Sequence, residues 1–69
     1  MDRLMRTIEK QDQVERVLII ERADGLFTYR MQTHFRKTGW SAPGPDCGLY
    51  PDPDTAEDEA RSRVWWMSD

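Results

Sequence analysis

Val17-Leu18-Ile19-Ile20-Glu21-Arg22-Ala23-Asp24-Gly25-Leu26-Phe27-Thr28-Tyr29-Arg30 is the stretch on which the fold turns. Its left half belongs to a run from Val14 to Arg22 rich in β-branched residues, the composition of a strand. Val17 to Ile20 are apolar without alternation, so both faces of that strand call for cover. The right half opens a run from Leu26 to Lys37 that alternates with a period of two. Phe27, Tyr29, Met31, Thr33 and Phe35 share one face; Thr28, Arg30, Gln32, His34 and Arg36 share the other. Asp24 and Gly25 both tolerate positive φ, so the pair predicts a two-residue turn that sets Ile20 opposite Tyr29 or its near neighbours. Residues 13–37 therefore read as a β-hairpin.

Toward the N-terminus, Met1, Leu4, Met5 and Ile8 recur at a helical spacing, so residues 1–12 predict a short helix, frayed in part. Toward the C-terminus, residues 38–53 hold all four prolines and read as an irregular loop with Trp40 as its anchor. Within that loop Cys47-Gly48-Leu49-Tyr50 can form a short third strand, which Pro51 and Pro53 would end. Asp54 is expected as an N-cap, with Glu57 three residues on as in a capping box. Residues 54–67 then predict a helix whose buried stripe is Ala56, Ala60, Val64 and Met67. Asp58 and Glu59 in its first half and Arg61 and Arg63 in its second match the helix dipole. Of Trp65 and Trp66, one should pack inward and the other stay partly exposed.

Together these elements make one α+β domain over residues 1–69: an antiparallel hairpin, a short third strand and a C-terminal helix across one sheet face. One helix covers one face only. The second apolar face of Val17 to Ile20 is left to the N-terminal segment or to a second copy of the chain.

Composition narrows the class. Sixty-nine residues, 38% hydrophobic and 33% charged, exclude a collagen-like repeat, a disulfide scaffold and a wholly disordered chain. The longest aliphatic run has four residues where a bilayer crossing takes about 20. A single cysteine, Cys47, forms no internal disulfide, in keeping with a reducing cytoplasm. Net charge is −3, unevenly placed. Met1 to Pro45 carries eight Lys/Arg against six Asp/Glu (+2), and Asp46 to Asp69 two against seven (−5).

Catalysis needs convergent polar groups, and the sequence offers few. His34, the sole histidine, lies on the polar strand face, and nothing in the spacing brings Cys47 to it. Glu57, Asp58 and Glu59 are consecutive on a helix, so they fan around it and hold no metal. The loop from Gly39 to Gly44 lacks the lysine and serine of a phosphate loop. The expectation is a non-enzyme without cofactor, metal or small-molecule substrate.

Binding is the better lead, and two surfaces compete. Arg30, Gln32, His34, Arg36 and Lys37, with Arg16 near them, form a basic, hydrogen-bonding strip suited to phosphates or base edges. Along the same strip, Tyr29-Arg30 on a strand, then a loop, then Gly48-Leu49-Tyr50-Pro51 and Thr55-Ala56-Glu57-Asp58-Glu59-Ala60-Arg61, resembles the arm-type DNA-binding domain of phage integrases. Plant ethylene-response DNA-binding domains are similar over the last strand and helix start. The resemblance covers half the chain and implies a three-stranded sheet in the DNA major groove, backed by one helix. The chain departs from that pattern in its negative charge and in Pro43-Gly44-Pro45-Asp46, where a basic hairpin belongs. Against this stands a protein-interaction module, possessing more large aromatics than so small a core can bury. Trp40, Trp65, Trp66 and Tyr50 are its candidate contacts, with a protein partner or a second copy as the occupant. The acidic helix, which repels phosphates, favours the protein partner.

Overall fold

The computed structural model describes residues 2–67. Five antiparallel strands and one helix form the α+β fold: β1 (Arg3–Glu9), β2 (Glu15–Glu21), β3 (Phe27–Phe35), β4 (Gly39–Trp40), β5 (Cys47–Tyr50) and α1 (Pro53–Arg63), closed by a 3-10 turn (Trp65–Met67). The order is β1-β2-β3, with β4 and β5 both on the free side of β3. β4 pairs with its end at His34 and Phe35, β5 with its start at Phe27 and Tyr29. Between them, the Ser41 amide donates to the Thr33 carbonyl (2.8 Å) and the Gly44 amide to the Met31 carbonyl (3.0 Å). Residues 39–50 thus act as one broken edge strand. Pro43 and Pro45, which cannot donate, mark the break.

The hairpin forms as expected, with a different turn. Gly25 donates to the Arg22 carbonyl (3.0 Å), Arg22 donates to Leu26 (2.7 Å), and only Gly25 has a positive φ, +84°. The loop therefore has three residues, Ala23 to Gly25, ending in the left-handed residue typical of a bulged hairpin. This places Ile19, not Ile20, opposite Tyr29 and sets Ile20 against Thr28. Asp24 steadies the turn by accepting from the Leu26 amide at 3.1 Å.

Residues 3–9 are a strand, where the spacing predicts a helix; Met1 lies outside the described residues. The physical reason is a bulge. Leu4 faces Ile20 and Arg6 faces Ile19, so Met5 is an extra residue that breaks the alternation and mimics a helical period. The turn into β2 carries no Gly, Pro or Asn; Gln13 takes the left-handed conformation instead, at φ +60°.

The core lies between β2, β3 and α1, where Val17, Ile19 and Tyr29 pack with Ala56, Ala60, Val64 and Met67. Small alanines let the helix approach the sheet closely, as the stripe predicts. Its N-cap is Asp52, not Asp54: Asp52 Oδ1 accepts from the Thr55 amide at 2.7 Å, and Pro53 occupies the first helical position, which needs no donor. With the cap two residues earlier, Glu57 is no capping-box partner. It joins Asp54 in binding Arg6 of β1, at 3.0 and 2.7 Å. The helix ends at Arg63, before the predicted 67, because Val64 turns extended.

The opposite sheet face is closed within one chain. Leu18 and Ile20 there are only 7% and 6% exposed, and Thr28 and Gln32 beside them are buried. No second copy is required to bury that strand. No helix among the described residues is long and apolar enough to cross a membrane.

Candidate interaction surface

The strip predicted on the outer face divides when its partners are traced. Arg30 is engaged: its Nε donates to Asp46 at 2.5 Å and its Nη2 to Asp2 at 3.0 Å. These bonds, Asp46 first, hold its guanidinium still more firmly protonated than usual. Arg22 adds a second contact to Asp46 at 3.0 Å. An arginine neutralised by two carboxylates presents little charge to a phosphate. Gln32 is buried, accepting from Arg16 Nε (2.7 Å) and donating to the Ser41 carbonyl (2.7 Å). Its amide is thus engaged on both atoms within the fold.

The rest of the strip gathers at the end of the sheet. His34 meets the Trp40 ring edge-on at 5.1 Å, and the Arg16 guanidinium lies over the same ring at 4.0 Å. Arg36 and Lys37 are exposed in the three-residue turn between β3 and β4, closed by Gly39 at φ +81°.

The four aromatics named as protein contacts also separate. Tyr50 stacks on Tyr29 at 6.4 Å and belongs to the core rim. Trp66 is half-buried against the core, its indole donating to Glu15 at 2.9 Å. Trp40 is half-buried in β4. Trp65 is 73% exposed, with Lys10 Nζ 4.9 Å above its ring. This matches the expected split between Trp65 and Trp66.

Phe35 and Val14, 53% and 44% exposed, escaped sequence reasoning. By alternation Phe35 shares the face of Tyr29 and Met31, yet as the last residue of β3 it stays exposed. Val14 adjoins His34, whose amide donates to the Val14 carbonyl at 2.7 Å. The same corner includes Lys10, bonded through its amide to the Glu15 carbonyl (2.9 Å), and hence Trp65. Among the described residues no group of three or more His, Cys, Asp or Glu is placed to hold a metal. Cys47 donates weakly to the Pro45 carbonyl at 3.6 Å, and no contact joins it to His34. No family model, curated protein or solved structure matches the chain.

Proposed function

We propose that this domain is a non-catalytic protein-binding module that works in the reducing cytoplasm. Its contact surface is the end of the sheet bounded by the β1–β2 turn, the β3–β4 turn and the 3-10 turn. One observation carries this reading: Val14, Phe35 and Trp65, all large and apolar, are exposed on the three segments that meet at that end. Exposed aromatics brought to one place are typical anchors of protein interfaces. Selection of a displayed peptide library on the intact domain, counter-selected on a Phe35→Ser/Trp65→Ser variant, tests it. Peptides that bind the native chain and not the variant are expected. Enrichment of none, or of peptides indifferent to the variant, would overturn it.

Nucleic-acid binding ranks second. The ion pairs of Arg30 and the burial of Gln32 weigh against it, while Arg36 and Lys37 remain available. Self-association through the open edge of β1, where Leu4 and Met5 are exposed, is a further form of the protein reading. A strict monomer in concentrated sedimentation runs would remove that form alone.

A further inference from the structure

Seven of the ten Lys and Arg residues form ion pairs: Arg3, Arg6, Lys10, Arg22, Arg30, Arg61 and Arg63. Arg16, Arg36 and Lys37 form none with a described residue, and the fold brings these three to one end. Arg36 and Lys37 sit in the turn that joins β3 to β4, and Arg16 reaches β4 by stacking on Trp40. Every other lysine and arginine is paired. These three are not, among the described residues.

Arg16 is also unlike an ordinary surface arginine. Trp40 supports its guanidinium at 4.0 Å. Its Nε donates to Gln32 Oε1 at 2.7 Å, and Gln32 is itself buried and anchored to the Ser41 carbonyl. Both Nη groups are left without a hydrogen bond to any described residue. Glu9 is the cross-strand partner of Arg16 but forms no ion pair with it. A guanidinium held by stacking and by Nε loses little freedom when its Nη pair takes up a carboxylate, a match of fork to fork.

From this arrangement we infer that the end of the sheet recognises an acidic, extended segment of a partner protein. Arg16 receives one carboxylate, and Arg36 and Lys37 engage its neighbours. The assignment rests on the protein-binding reading above and gives that partner its chemistry. A short acidic segment fits better than a nucleic acid. Three cations neutralise about three phosphates, too few to hold a duplex against salt, and a chain of net charge −3 repels a long polyanion.

The probe is a short fluorescein-labelled peptide alternating glutamate with valine, followed by fluorescence anisotropy at physiological salt. Its companion carries glutamine for glutamate, and a labelled DNA duplex is the third ligand. The expected result is binding of the glutamate peptide alone. Arg16→Gln should weaken it about tenfold or more, and Arg16→Lys should recover little, since an ammonium offers no fork. Arg36→Glu/Lys37→Glu, confined to an exposed turn, should weaken it too, and guards against a folding defect in the Arg16 variants. Arg3→Gln, an equal loss of charge on an ion-paired residue, should change nothing. No binding, equal binding of both peptides, or indifference to Arg16→Gln would overturn the assignment. Tighter binding of the duplex would overturn it together with the protein-binding reading. If library-selected peptides depend on Phe35 but not on Arg16, the acidic partner falls and the binding module stands.

Discussion

Asp52 shows how a single carboxylate sets the start of an element. Pro53 follows it, so the chain is already shaped for a first helical turn, and the Asp52 side chain meets the Thr55 amide. That bond is the main reason its carboxyl lies below the usual range. Glu57 is depressed as well, first by its hydrogen bonds with Arg61 and then by those with Arg6. Folding therefore favours the charged form of both groups. Their contribution is complete above the ordinary carboxylate range and is lost as pH falls through the lower folded values. The thermal midpoint should fall on acidification from about pH 5 to about pH 3. Asp52→Ala should lower that midpoint by about 5 °C at neutral pH. Asp52→Asn, still a capping residue, should keep most of it and flatten the acid limb. Equal behaviour of Asp52→Ala and native chains in calorimetry would return the cap to Asp54.

Among the elements, β1 is the loosest. It is an edge strand with a bulge at Met5, and of its seven residues only Arg6 and Ile8 are even half-buried. Arg6 bridges it to α1, and Ile8 packs on the core rim. Hydrogen exchange should accordingly show β1 amides opening at lower free energy than those of β2 and β3. Protection of β1 equal to that of β3 would mean that its outer edge is covered. At the other edge, Gly48 makes the bulge of β5 feasible: its φ is +80°, and a side chain there would run into Tyr50. Its partner Tyr50 is two positions away in sequence, and the close approach is set by the bulge.

The whole molecule is thin, 35 × 29 × 16 Å, with a helix on one face of the sheet and none on the other. Arginines do the second layer's work. Arg30 lies opposite Leu18, and Arg22 flanks Ile20; Asp46 holds both guanidinium groups and so ties residues 41–46 to the sheet. Long arginine stems cover apolar surface while their heads remain in water. Asp46→Ala should therefore leave Arg22 on Asp24 alone and Arg30 on Asp2 alone, lower the midpoint by about 5 °C and raise the fluorescence of a dye that binds exposed apolar surface. Asp58→Ala, which breaks no ion pair, should do neither. High salt should reproduce part of the Asp46 effect, because these pairs are at the surface.

Local residue order alone determined the elements whose signals are local. The β-branched run and Asp24-Gly25 specified a hairpin, alternation assigned the faces of β3, Cys47 to Tyr50 read as a third strand, and two alanines chose the buried side of α1. Tertiary structure decided what depends on partners distant in the chain. One added turn residue moved the register, so Ile19 faces Tyr29 and Arg16 meets Gln32. A bulge turned a helical spacing into a strand. Asp46, sixteen positions from Arg30, neutralised a strip that composition presents as basic. Period and propensity are carried by neighbours in sequence, whereas charge compensation and exposure depend on which side chains the fold brings together. For that reason the unpaired cations around Arg16 are a product of the fold and not of local residue order.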